Sequence, residues 1–505
     1  MSSGVDNVAN YLLFGKTPDR TALLTTNREY TYGDIRSATG KIADYLGRIG
    51  SSKGDRVLLI SANNLFWVAS YLGVLRAGLV CVPLPETISK ESLEFIRKAT
   101  GATIVLAQAR PCTRMINALE GCHLLTDRDI QHVSGLASQE HFQRLSESPV
   151  GPAVEVKNHD LAALMFTSGS TGKPRGVMVS HRNIIANTES IITYLELSDQ
   201  DRMMAVLPLH YCFGTSLLHT HLRVGGSLVL DSRFLYPEII LQRMLETECT
   251  GFAGVPSHFQ ILLRKSDLRS KSFPKLRHIQ QAGGCLAPQF IRELRDALPA
   301  TKIFIMYGQT EATARLSYLP PTFLDCKLGS IGRGIPGVRL RVVNDSGEDV
   351  LCGEVGEIVA EGENVAQGYW AATQDTAETF RGGKLYTGDL ARVDSDGFIY
   401  IVDRKKNFLK WCGKRVGVQE IENRLLEFPC ISEAAIVGVS DVILGEAPRA
   451  FVVRRMPACQ EFDSCICSFF KQHFPRELYP KQIVALDQLP RNSAGKVNKR
   501  KLISI

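Results

Sequence analysis

Short β-branched runs alternate with helical periods through most of the first 400 residues, and this alternation limits the possible folds more than any other feature. Val57–Ser61 reads as a strand, Asn64–Gly78 as a helix with a mostly apolar face, and Leu79–Leu84 as the next strand. A βαβ unit of this kind implies a parallel sheet covered by helices. The same grammar returns where the strand Leu161–Phe166 enters a glycine-rich turn, followed by a short strand at Gly176–Val179 and a helix over Asn183–Leu195. Lys302–Met306 is predicted as a strand ending in the turn Tyr307-Gly308-Gln309-Thr310-Glu311. Between Val338 and Asp403 the texture changes to strands separated by Asp345-Ser346-Gly347 and Asp394-Ser395-Asp396-Gly397, which predicts an antiparallel section. A helix over Gln419–Phe428, strands at Ala434–Val439 and Arg449–Val453, and a helix near Cys465–His473 then make a compact α+β tail. The expected fold class is α/β: a large N-terminal α/β domain, residues 1–403, with layered sheets and a closing β section, and a small C-terminal α+β domain, residues 404–505.

The 505 residues exceed what one hydrophobic core usually serves, which agrees with two domains. With 44% hydrophobic and 22% charged residues, the chain has the composition of a soluble globular protein and not of a disordered or collagenous one. No apolar stretch approaches the roughly 20 residues of a spanning helix. Met1–Lys16 carries Asp6 and lacks both a basic start and a continuous apolar run, so neither a membrane span nor a signal peptide is expected. Thirteen cysteines lie scattered without CxxC spacing, and Cys465 and Cys467 are too close for a zinc clip. Reduced, mostly buried thiols in a cytoplasmic protein are expected. The net charge is +7, and residues 404–505 hold 18 Lys and Arg against 10 Asp and Glu, while the rest of the chain is close to neutral. That small basic region reads as a solvated surface or as a face for a phosphorylated or acidic partner; no nucleic-acid partner is expected.

The strongest local signal is Thr167-Ser168-Gly169-Ser170-Thr171-Gly172-Lys173-Pro174-Arg175-Gly176, directly after an apolar strand. Small residues leave backbone N–H groups exposed, hydroxyls add donors and Lys173 adds charge, so the segment can wrap phosphate oxygens. It is not a Walker loop, because only two residues separate Gly169 from Gly172 and Pro174 follows the lysine.

This segment resembles the phosphate loop of the adenylate-forming superfamily, which includes acyl- and aryl-CoA synthetases, peptide-synthetase adenylation domains and firefly luciferase. Further segments are similar in order and spacing along the whole chain. Tyr307-Gly308-Gln309-Thr310-Glu311-Ala312 resembles the second motif, which implies Thr310 at the α-phosphate and Glu311 as a magnesium ligand. Tyr386-Thr387-Gly388-Asp389 resembles the third, implying Asp389 on the ribose hydroxyls, and Asp403-Arg404-Lys405-Lys406 resembles the hinge segment, with Arg404 also reaching the ribose and Lys406 as the pivot. Gly413 lies where the family brings a loop to the active site for thioester formation, and Asn492-Ser493-Ala494-Gly495-Lys496 resembles the C-terminal motif with its mobile lysine. The resemblance implies a mobile small domain, ATP and Mg²⁺, and a small carboxylic or amino acid as substrate. It also implies a thiol acceptor, coenzyme A or a separate acyl carrier protein. The chemistry agrees: a carboxylate attacking the α-phosphorus approaches an anion and expels pyrophosphate, so Lys173, Thr310, Lys496 and a cation held by Glu311 are suitable neighbours.

The resemblance also places an acyl pocket at His210, Tyr211, Phe213 and Gly214, at Ala282-Gly283-Gly284-Cys285, and at Ile305 and Met306, with Gly283 and Gly284 shared with the nucleotide. Amino-acid-activating members usually carry an Asp near the position of His210, and this chain does not. Leu207-Pro208-Leu209-His210 is instead similar to acyl- and aryl-CoA synthetases, which favours coenzyme A and a catalytic place for His210 between pocket and thiol tunnel; a packed core histidine is the plainer alternative. Three other patterns read as structural. Gly332-Arg333-Gly334-Ile335-Pro336-Gly337 fits GxGxxG but leads into strand-like Val338–Val343, not the helix a dinucleotide site requires. His219-Thr220-His221 lacks a completing ligand set, and Gly225-Gly226 reads as a turn.

Overall fold

The computed structural model describes residues 6–110, 115–128, 154–168, 174–405, 409–411, 414–416, 418–441, 445–455, 462–473, 479–480, 482–491, 497–503 and 505. These residues form four sheets. The first has six strands in the order His123–Thr126, Ile104–Ala107, Arg56–Ile60, Val80–Leu84, Leu161–Ser168, Pro174–Ser180. Its strands are parallel except for the last pair. Leu58, Leu59 and Ile60 are fully buried, as are Cys81 and Val82 on the neighbouring strand, because helices cover both faces. That explains continuous apolar runs in place of alternation. The helix Leu65–Arg76 follows, its first turn capped by the Asn64 side chain accepting from the Trp67 N–H. It is buried on nearly every side, as its almost wholly apolar sequence requires.

The second sheet has nine strands in the order Arg333–Gly334, Ser317–Leu319, Lys302–Tyr307, His278–Gln281, Gly251–Gly254, Arg202–Ala205, Ser227–Leu230, Thr21–Leu24, Glu29–Thr31. It is parallel from Lys302–Tyr307 to Thr21–Leu24 and antiparallel at both edges. One continuous apolar core joins this sheet to the first through the helices Leu65–Arg76, His181–Leu195 and Cys212–Val224. Strands Val338–Val343, Val355–Gly362, Lys384–Val393, Phe380–Arg381 and Ile399–Arg404 form the antiparallel third sheet. The fourth begins at Leu409–Trp411 and is built on the long hairpin of Ile431–Asp441 and Gly445–Arg454. Among the described residues no helix is long and apolar enough to cross a membrane.

Leu161–Ser168 and Pro174–Ser180 run antiparallel as a hairpin, because five residues are too few for a crossover between parallel strands. Among the described residues the thiols are not mostly buried, contrary to expectation. Among the described cysteines only Cys81 and Cys249 are buried, Cys122, Cys212, Cys430 and Cys465 are half-buried, and Cys285, Cys326 and Cys352 are exposed. The glycine pattern at 332–337 leads into the strand Val338–Val343, and a Cβ on Gly332 would lie 1.8 Å from the Tyr318 carbonyl oxygen, so close backbone packing accounts for that glycine. His219 pairs through Nε2 with the Tyr71 hydroxyl at 2.9 Å, and His221 Nδ1 lies 2.9 Å from the Leu217 carbonyl oxygen. Both sit on the helix Cys212–Val224, which Gly225 terminates at φ 83°.

Candidate active site

The strand Lys302–Tyr307 ends at Gly308, and the chain turns back so tightly that a Cβ there would stand 1.9 Å from the Ala314 carbonyl oxygen. Only glycine fits, and the Leu316 N–H returns to the Tyr307 carbonyl at 2.8 Å. Within this turn lies the short 3₁₀ helix Thr310–Ala312. Side chains leave it in three directions. The Tyr307 hydroxyl donates to Asp389 Oδ2 at 2.6 Å, Thr310 Oγ1 to Cys212 Sγ at 3.4 Å, and Glu311 Oε1 accepts from the Tyr369 hydroxyl at 2.8 Å.

Asp389 is 4% exposed and follows Gly388, whose φ of 72° lets the strand Lys384–Val393 kink at that point. Its other oxygen accepts from Arg404 Nε at 2.8 Å, across a strand pair that sets Asp389 opposite Arg404. The carboxylate holds the Arg404 guanidinium more firmly protonated, while burial and the same negative charge push the Tyr307 phenol well above its usual range. Lys405 is tied back to the same strand: its N–H donates to the Gly388 carbonyl at 2.8 Å and its ammonium lies 3.2 Å from Glu357. The Asp403 carboxylate accepts from the Val418 N–H at 2.6 Å, at the start of the helix Val418–Leu425.

Thr167 faces Arg175 and Ser168 faces Pro174 in the last pairs of the hairpin before its turn. Its tip, Gly169, Ser170, Thr171, Gly172 and Lys173, lies outside the described residues, as do Lys406, Gly413 and the segment 492–496 with Lys496. The foot of the hairpin is fixed. The Trp370 N–H donates to the Gly176 carbonyl at 2.7 Å, and the Met178 N–H to that of Gly368 at 2.9 Å. The Arg175 guanidinium lies 5.4 Å from the centre of the Tyr369 ring and pairs with Asp375 at 2.9 Å. Tyr369 therefore connects the hairpin to Glu311.

His210 stands just before the helix Cys212–Val224, with its ring 4.3 Å from that of Tyr211. Its Nε2 is buried without a hydrogen-bond partner among the described residues, and burial pushes its pKa down to about 4, so the imidazole is neutral at ordinary pH. Phe213 is buried, and Gly214 has a packing reason, since a Cβ there would lie 2.1 Å from the Pro208 carbonyl oxygen. Ala282, Ile305 and Met306 are buried, Gly283 has φ 83°, and the Gly284 carbonyl accepts from Gln281 Nε2 at 2.8 Å. The Tyr194 hydroxyl donates to Met306 Sδ at 3.0 Å. Beside Cys212, Thr313 and Ala314 is a cavity of about 20 Å³, room for about one water molecule. Sequence reasoning assigned nothing to Cys212, Tyr369 or Arg315. Arg315 was detectable as the one charge inside the run Ala312–Leu319, whereas Gly368-Tyr369-Trp370 carries no pattern that marks its contacts.

The long-chain-fatty-acid–CoA ligase of Salmonella typhimurium is 28% identical over 518 residues, covering 96% of this chain and 91% of that protein. The crystal structure of ATP-bound MatB from Rhodopseudomonas palustris superposes with a TM-score of 0.88 at 26% identity, covering 99% of this chain and 98% of that one. That of the o-succinylbenzoate coenzyme A synthetase of Bacillus subtilis with ATP and a magnesium ion gives 0.83 at 25% identity, over 98% and 99%. The family model for AMP-binding enzymes matches residues 14–370 and that for their C-terminal domain matches 420–496, so the chain belongs to the AMP-binding enzyme family.

Proposed function

We propose that this chain is an acid–thiol ligase that activates a carboxylic acid with ATP and passes the acyl group to coenzyme A. A carboxylate oxygen bonds to the α-phosphorus as the bond to pyrophosphate breaks. The thiol sulfur then bonds to the acyl carbon as AMP leaves, and the thiol proton goes to solvent. The observation that carries this reading is the convergence on one turn: through Tyr307, Thr310 and Glu311, residues 307–311 reach Asp389 and Arg404, Cys212 beside His210, and the foot of the glycine-rich hairpin. Those are the segments a nucleotide and an acid must touch together.

On this reading Asp389, already oriented by two donors, holds the ribose with Arg404. Thr310 and the loop 167–173 meet the phosphates, and Lys496 neutralises the charge that develops on them. Glu311, an anionic oxygen donor fixed by Tyr369, is suited to a hard cation such as Mg²⁺, which when bound would offset phosphate charge. The neutral His210 would line the path between acid and thiol with Phe213 and Met306. The boundary near residues 403 and 404 is part of the same proposal, supported by the separate sheets on either side of Arg404; so is movement of the small domain about Lys406. A cytoplasmic location is supported by the supply of ATP and coenzyme A such a reaction needs.

Incubation with Mg·ATP and a panel of acids tests the first half: AMP and pyrophosphate should appear, and ADP with phosphate would refute adenylation. A separate acyl carrier protein is a second reading, favoured only by the basic balance of residues 404–505. Offering coenzyme A and a carrier protein with the preferred acid decides between them, and thioester formation on coenzyme A is expected.

A further inference from the structure

Arg315 is the largest charged side chain in the interior, 1% exposed, and among the described residues it forms no ion pair. Two of its nitrogens, Nε and Nη2, are buried without a hydrogen-bond partner. Burying an unpaired cation costs several kcal/mol, and each unsatisfied N–H about a further 1–3. Packing alone does not call for that, since Leu or Met would fill the same space at no such cost.

The backbone forces the side chain inward. Thr313 takes φ 66°, Gly308 admits the Ala314 carbonyl, and the Arg315 carbonyl is gripped by the side-chain amides of Asn187 at 3.1 Å and Asn364 at 2.8 Å. The guanidinium then lies over the Phe213 ring, 4.0 Å from its centre, within reach of the Tyr194 hydroxyl. That hydroxyl otherwise donates only to the Met306 thioether, a weak acceptor. Phe213 follows Cys212, to which Thr310 donates, so Thr310, Cys212, Phe213 and Arg315 form one contiguous line from the turn of residues 307–311 into the interior.

We infer that Arg315, with Tyr194, receives a second carboxylate at the far end of the acid, and that the substrate is a short dicarboxylic acid whose other carboxylate is activated beside Thr310. This rests on the adenylation reading above. The planar guanidinium offers paired donors that match a carboxylate, and the arriving anion supplies the missing charge and acceptors together. Thr310 donates to Cys212, and Phe213, over which the guanidinium lies, is the next residue along the chain, so a short carbon frame between the two carboxylates is expected.

The test uses the whole protein and matched acids: succinate with butyrate and succinamate, glutarate with pentanoate, phthalate with benzoate. Pyrophosphate release gives kcat/KM for each, and the shift in thermal midpoint at equal concentration reports binding independently of turnover. At least one diacid should exceed its monoacid partner by roughly 10-fold to 100-fold, the range of a lost hydrogen bond to a charged group, and Arg315→Met should lower that ratio by a similar factor. Arg315→Lys keeps the charge but loses the fork, so it should retain part of the preference, and it serves if the Met variant does not fold. Monoacids equal to or better than diacids in the wild type would overturn the assignment. So would succinamate matching succinate, or a ratio unchanged in both variants. If no acid of either kind yields AMP, the adenylation reading fails, and the thermal shifts still show whether diacids are preferred.

Discussion

The proposed function puts both Lys496 and Asp389 at the nucleotide, yet their removal should leave different traces. On the proposed reading Lys496 meets charge that grows as pyrophosphate departs, and losing one such contact typically costs about 10²-fold to 10³-fold in rate. Lys496→Ala should therefore slow acyl-adenylate formation by that factor while sparing thioester formation from supplied acyl-adenylate; equal loss in both half-reactions would contradict the role. Asp389 holds no reacting atom. Asp389→Ala should raise KM for ATP more than it lowers kcat, and it should also lower stability by about 1–3 kcal/mol, because the Tyr307 hydroxyl loses its buried acceptor. A thermal melt without nucleotide, run beside ATP kinetics, separates those two effects.

Among the elements, the turn after Lys302–Tyr307 and the hairpin Leu161–Ser168 with Pro174–Ser180 are coupled through one ring, that of Tyr369. Tyr369→Phe keeps the ring under Arg175 and deletes the hydrogen bond to Glu311. KM for Mg·ATP should then rise by on the order of 10-fold, the value of a hydrogen bond to a charged group, with little change in the unfolding midpoint. Tyr369→Leu should do both kinds of damage. If the Phe variant binds Mg·ATP normally, Tyr369 does not orient Glu311. This coupling marks the limit of what the chain reveals unaided. Strand and helix periods were legible wherever burial is one-sided or complete, as at Arg56–Ile60 and Leu65–Arg76, because there local pattern and tertiary environment agree. Thr310, Glu311 and Asp389 were marked only by the resemblance of their segments to the family's motifs, and Asp389 by itself reads as a turn residue. Tyr369 was not legible, because its partners lie 58 residues away at Glu311 and farther still at Arg175.

For the molecule as a whole, burial keeps several imidazoles neutral at once. His181, His210 and His258 are pushed down to about 4, and His219 and His278 to about 3, burial being the largest cause in each. In the unfolded chain each would titrate near 6.5. Between that value and the folded ones the unfolded state binds more protons, so stability rises with pH there and falls on acidification. Each histidine adds a slope of at most about 1.4 kcal/mol per pH unit. Paired carboxylates such as Asp231, Glu293 and Asp394 have lowered pKa values, and their contribution is lost only in more acid solution, below the ordinary carboxylate range. The two groups therefore act in different windows. Thermal midpoints measured at constant ionic strength should already fall between pH 7 and pH 5, before the carboxylates titrate, and fall further below pH 4. A midpoint flat from pH 7 to pH 5, followed by a drop only in stronger acid, would show that these histidines reach water or a counter-charge in the folded protein. The interior around Tyr71, Phe304 and Met203 against which His219 and His278 pack would then be more open than this structure has it.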